Sequence, residues 1–118
     1  MINKRSEKVI IVEGLTDKRQ IEKIITDDAK IICTNGTLGV ERFDELLEDY
    51  DLDNRDVYIF VDEDPSGIDL RQQLTRELPH AEHIHIASEY REVATTPVKI
   101  LAIALAAKHI AVNPLFLS

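Results

Sequence analysis

Cysteine is nearly missing from this chain: Cys33 is the one thiol in 118 residues. A lone thiol makes no intramolecular disulfide and no cysteine-built zinc site, and it fits a reducing cytoplasm. Basic residues are also in deficit. Lys and Arg number 14 against 22 Asp and Glu, a formal charge of −8, which opposes unaided binding to nucleic acid or to an anionic membrane. Long hydrophobic runs are lacking too. The longest apolar-rich stretch, 98–111, is interrupted by Lys99, Lys108 and His109 and falls short of the ~20 residues of a membrane span. The charged N-terminus leads into no apolar core of signal-peptide length before Glu13. No repeat or low-complexity tract is found.

What remains has the composition of a globular protein, 44% hydrophobic and 31% charged, and its length predicts one domain over 1–118. Short β-branched runs at Val9–Val12, Lys30–Cys33, Val57–Val61 and His83–Ile86 read as strands. The first and third are continuously apolar, the mark of strands covered on both faces. Helical spacing lies between them. Ile21, Ile24 and Ile25 share one face; Val40, Phe43, Leu46, Leu47 and Tyr50 share a second; Leu70, Leu74 and Leu78 share a third, which Pro79 ends. A last helix is expected over Val98–Ala111, with Thr96 as N-cap and Pro97 at the first helical position. This alternation predicts an α/β, Rossmann-like fold, a four-stranded and mainly parallel sheet with helices on both faces. Ligand chemistry then belongs at the carboxyl ends of the strands.

Acids gather there. The first strand runs into Val12-Glu13-Gly14, and the third into Val61-Asp62-Glu63-Asp64-Pro65-Ser66-Gly67. Alternation along an extended segment sends Asp62 and Asp64 to one side and Glu63 to the other. Paired aspartates are hard oxygen ligands suited to Mg²⁺ or Mn²⁺. Without a cation, Glu13, Asp62 and Asp64 repel one another. Gly14 and Gly67 allow close backbone approach just after the acids.

An apolar strand ending in Glu-Gly, followed by a later strand ending in Asp-x-Asp-x-x-Gly, resembles the Toprim domain of topoisomerases, bacterial primases, certain nucleases and recombination mediators. The matching segments are Val12-Glu13-Gly14-Leu15-Thr16-Asp17 and Asp62-Glu63-Asp64-Pro65-Ser66-Gly67. Between them, Thr34-Asn35-Gly36-Thr37 resembles a glycine-containing turn of primases and of a ribonuclease that matures a small ribosomal RNA. The resemblance implies that Glu13 is the acid/base group of phosphodiester chemistry and that Asp62 and Asp64, with Glu13 beside them, bind Mg²⁺. Asp17 matches an acidic position of some members, and the dipole of the first helix also accounts for it.

Further phosphate or nucleic-acid contacts are expected from Gly14, Asp17, Lys18, Arg19, Asn35, Gly36, Thr37 and Gly67. A solvated helix face is the favoured account of Lys18 and Arg19, and a plain strand-to-helix turn accounts equally for Asn35, Gly36 and Thr37. Alternation on a half-exposed strand explains His83 and His85 without a metal. The tyrosines Tyr50, Tyr58 and Tyr90 match no topoisomerase nucleophile, which the family carries on another domain. From Glu41 through Asp69 there are 12 acids and 2 bases, so a phosphate backbone is expected to approach from the side of Lys4, Arg5, Lys18, Arg19 and Lys23. The expectation is a cytoplasmic, bacterial, Mg²⁺-dependent nuclease-like domain. The alternatives are a non-catalytic module that partners a larger nucleic-acid enzyme and a receiver-like phosphoacceptor. The apolar segment 112–117 is expected to fold back on the core, pair with a second copy or dock on a protein partner.

Overall fold

The computed structural model describes residues 7–36, 39–87 and 89–118, with only the backbone of Val40. The assignments made above to Lys4, Arg5, Thr37 and the Val40 side chain lie outside those residues. Strands β1 (Lys8–Val12), β2 (Lys30–Cys33), β3 (Asp56–Ile59) and β4 (Glu82–His83) alternate with helices α1 (Leu15–Ile24), α2 (Val40–Asp49), α3 (Pro65–Glu77) and α4 (Val98–Ala107). The strands form one sheet in the order β2-β1-β3-β4, and every ladder is parallel. The alternation of elements dictates this arrangement, because a strand–helix–strand unit returns its second strand in the direction of the first.

The continuous apolar runs of β1 and β3 are buried on both sides, as a parallel sheet between helical layers requires. Even and odd positions feed different cores. Ile10, Val12, Tyr58 and Phe60 pack with Ile21 and Ile24 of α1 and Leu101 and Leu105 of α4. Val9, Ile11, Val57 and Ile59 pack with Phe43 and Leu46 of α2 and Leu70 and Leu74 of α3. Each fully buried aliphatic side chain contributes roughly 1.5–3 kcal/mol to folding. The chain passes from β1 to β2 on one side and then crosses back over β1 to β3 on the other, so the carboxyl ends of β1 and β3 flank the crevice where α/β sheets bind ligands.

Several element boundaries differ from the sequence reading: β1 begins at Lys8 rather than Val9, β3 covers Asp56–Ile59 rather than Val57–Val61, and three differences are larger. First, β4 is two residues long and lies at Glu82–His83 rather than His83–Ile86. The guanidinium of Arg71 is inserted beyond it: Nη1 donates to Ile59 O at 3.4 Å, and Nη2 to Val61 O at 3.5 Å and Ile84 O at 3.1 Å. Ile59 O also accepts from Ile84 N–H at 2.9 Å, while the side chain serves Val61 O and Ile84 O, which a longer ladder would have used. Second, α4 is capped by Pro97 rather than Thr96; the Thr96 hydroxyl donates instead to Glu92 O at 2.6 Å. Third, α4 stops at Ala107 instead of Ala111. His109 takes a left-handed φ of 62°, Ile110 N–H donates to Leu105 O at 3.2 Å, and His109 N–H donates to Ala106 O at 2.9 Å. That pair of bonds is a Schellman stop, closed by the buried contact of Ile110 with Leu105.

The segment after α4 lies on its own domain. Val112 forms an antiparallel bridge with Ile25, Asn113 N–H donates to Ile24 O at 2.9 Å, and Phe116 packs on the α1–α4 core. Leu115 stays 78% exposed.

Candidate metal centre

β1 delivers Glu13 and β3 delivers Asp62 and Asp64 to the same edge of the sheet. One carboxylate oxygen from each lies within 4.8 Å of the others, and all three residues are half-buried. Opposed oxygens on a hard divalent ion are about 4–5 Å apart, so the spacing accommodates one. Glu63, beyond the end of β3, points away: its Oε1 accepts from His85 Nδ1 at 2.6 Å and from Arg71 Nη2 at 3.5 Å.

Each acid is held by a separate device. Ser66 Oγ donates to Glu13 Oε2 at 2.8 Å. Val93 N–H donates to Asp62 Oδ1 at 2.7 Å. Asp64 is the N-cap of α3 and accepts from Gly67 N–H at 2.8 Å, with Pro65 in the first turn. Glu13 is fixed at the backbone as well, since its carbonyl accepts from Asn35 N–H at 2.7 Å. Close approach makes Gly67 obligatory: a Cβ there would sit 2.0 Å from Asp62 O. Gly14 is under no such constraint, for its Cβ would meet only Asp17 Oδ2 at 3.4 Å.

The electrostatics are those of crowded carboxylates. Asp62 is pushed up to about 6, first by burial and then by the charges of Asp17, Asp64 and Glu13, against the lowering effect of the Val93 hydrogen bond. Glu13 Oε1 is buried and has no hydrogen-bond partner. An orphaned carboxylate oxygen beside two further acids is a donor set suited to a cation. Among the described residues, no other His, Cys, Asp or Glu grouping meets the geometry for a metal. The histidines are engaged elsewhere: His80 with the carbonyls of Leu52 and Arg55, His83 with Arg71 and Thr75.

A solved structure of a small TOPRIM domain protein from Bacillus stearothermophilus is 41% identical to this chain, with a TM-score of 0.90 over 98% of this chain and 96% of that one. This chain belongs to the Toprim family. Uncharacterized protein YusF of Bacillus subtilis (strain 168) is 45% identical over 111 residues, 94% of this chain and 75% of that protein. No protein-family profile matches the chain.

The remaining candidates of this Toprim domain lie at the start of α1 and along it, in the turn after β2 and in the first turn of α3. Asp17 is buried, pushed up by that burial, and accepts from Gly14 N–H at 3.0 Å, closing the first turn of α1. Lys18 is half-buried and Arg19 exposed on the same helix. Asn35 and Gly36 form a left-handed turn with φ of 59° and 106°, and the Asn35 N–H is committed to Glu13 O. Two anchors escaped the sequence reading, Ser66 and Val93. Ser66 stood within the motif, but its partner is 53 positions away. Val93 acts through its main-chain N–H, which leaves no signal in residue type.

Proposed function

We propose that this Toprim domain processes nucleic-acid phosphodiester bonds with Mg²⁺ or Mn²⁺. The observation that carries the reading is the convergence of Glu13, Asp62 and Asp64 from two strand ends within 4.8 Å, in a chain of this family. When bound, a divalent cation supplies neutralisation of phosphate charge. The chain's residues do the rest. Asp62 and Asp64, oriented by Val93 and Gly67 N–H groups, are the principal ligands, and Glu13 is the third acid. With Oε2 held by Ser66, Glu13 moves the proton at Oε1, which has no partner within the protein. Cys33 is a free thiol, which supports a cytoplasmic setting, and the Bacillus origin of the two relatives supports a bacterial one.

The test is incubation of the purified chain with labelled structured RNA and with DNA, with Mg²⁺, with Mn²⁺ and without metal. Metal-dependent cleavage that falls at least about 100-fold in Glu13→Gln supports the enzyme. A second reading has its own observation, the 78% exposure of Leu115 and 41% of Leu117: an apolar docking point on a module that keeps the metal and works on a larger nucleic-acid enzyme. Mn²⁺ binding without cleavage of either polymer favours that module. No helix among the described residues is long and apolar enough to cross a membrane.

A further inference from the structure

The helices on the two faces of the sheet carry different charge. α2, on one face, exposes Glu41, Asp44, Glu45, Glu48 and Asp49, and its Arg42 is paired with Glu45 at 3.7 Å. On the opposite face, α1 exposes Arg19 and Lys23, four residues apart on one stripe, and α4 exposes Lys99 in its first turn. α1 also exposes Glu22, and Glu92 is exposed in the segment before α4, so a polyanion reaching the triad meets stronger repulsion over α2 than over α1 and α4.

Arg91 stands where that favourable face meets the triad. Its carbonyl accepts from Glu63 N–H at 2.6 Å, and two residues on, Val93 N–H holds Asp62. Residues 91–93 are therefore stitched to the main chain between Asp62 and Asp64. Arg91 has a left-handed φ of 57°, a conformation that glycine accepts freely and arginine does not. Its side chain is exposed and makes no ion pair or hydrogen bond with the described residues.

We propose that Arg91 is a phosphate-contacting residue of the site, and that with Arg19 and Lys23 it leads a nucleic-acid strand to the acids across the α1–α4 face. This rests on the phosphodiester reading above and adds the direction of approach and the residue that sets it. The Arg91 main chain is fixed at Glu63 N–H beside a carboxylate-rich centre, and an arginine side chain leaving from there offers a cation whose planar fork matches phosphate oxygens.

The test is fluorescence anisotropy of short labelled single strands, one of RNA and one of DNA, in Mn²⁺ and in the Glu13→Gln background so that the strand is not cut. Arg91→Gly removes the guanidinium while suiting the backbone, so the fold is kept. Binding of the better strand should weaken about tenfold, and the dependence of log affinity on log salt should flatten by about 0.7. Arg91→Lys should recover much of the loss. Arg76→Gln, on the exposed side of α3, should bind as the parent. Unchanged binding in Arg91→Gly, or an equal loss in Arg76→Gln, overturns the proposal. If the parent shows a Mn²⁺-induced rise in Tm but binds neither strand, the approach path is wrong and the metal centre stands; if it shows neither, both readings fall.

Discussion

Ser66 Oγ donates to Glu13 Oε2 at 2.8 Å, joining the first turn of α3 to the end of β1 across 53 positions of sequence. The hydrogen bond immobilises one oxygen of the acid and leaves the other, Oε1, without a partner. A glutamine at position 13 keeps a carbonyl oxygen for Ser66 and removes one charge from the crowded edge. Glu13→Gln should therefore melt at or slightly above the parent temperature while losing roughly 10²–10⁴ in cleavage rate. A circular-dichroism melt alongside the cleavage assay checks both halves.

Protons and metal should compete at Asp62. Because burial and neighbouring acids raise this group to about 6, the Mn²⁺-induced rise in Tm should be small at pH 5 and large at pH 7.5. Asp62→Asn combined with Asp64→Asn should abolish the rise at both pH values. Thermal melts across a Mn²⁺ titration measure it, and an undiminished rise in the double variant would exclude this site.

The same shift has a consequence without metal. A carboxyl group raised in the folded state favours folding while protonated, so its contribution is fully present below the unfolded value near 4 and is lost as pH climbs through about 6. Asp62→Asn removes that dependence and still offers an oxygen to Val93 N–H. The apo variant should gain stability relative to the parent between about pH 4 and 7, read as a growing difference in urea midpoint.

At Gly67 the constraint is steric. A methyl group would overlap Asp62 O at 2.0 Å, so Gly67→Ala must push α3 away from the end of β3. The expected cost is about 3 kcal/mol, together with weakened Mn²⁺ binding. Gly14→Ala, whose Cβ meets Asp17 Oδ2 at 3.4 Å, should cost less than about 1 kcal/mol. Equal losses in the two variants would contradict the close approach.

Arg71 is expected to matter for folding. Its guanidinium serves the carbonyls of Ile59, Val61 and Ile84; Arg71→Met removes that donor from all three, and only Ile59 O keeps a second one, the Ile84 N–H at 2.9 Å. Destabilisation of roughly 3 kcal/mol is expected, with partial recovery in Arg71→Lys. Urea unfolding would reveal a smaller effect if solvent reached those carbonyls instead.

The layers were legible because the period of hydrophobicity changes from continuous runs at 9–12 and 57–61 to helical spacing at Leu70, Leu74 and Leu78, and burial alone enforces that pattern. The acids were legible because side chains carry them at strand ends. The length of β4 was not, because Ile84 and Ile86 are apolar and β-branched, as a strand demands, while the competing donor is Arg71 on another element. The end of α4 was hidden for a similar reason: Ala106, Ala107 and Ile110 continue an apolar run, and only the left-handed backbone of His109 stops the helix. The holders of the triad, a hydroxyl at Ser66 and a main-chain N–H at Val93, depend on contacts between distant segments, which composition and spacing do not encode.

Asp27 binds Lys8 Nζ at 2.7 Å and accepts from Ala111 N–H at 3.0 Å, the latter across 84 positions. The turn between α1 and β2 thus lacks its final partners until the far side of α4 has docked. Contacts of such long sequence separation form late on the folding route. Alterations around Ala111 should accordingly quicken unfolding and leave the folding rate almost untouched, so the lifetime of the native state, more than the speed of reaching it, is governed from this corner.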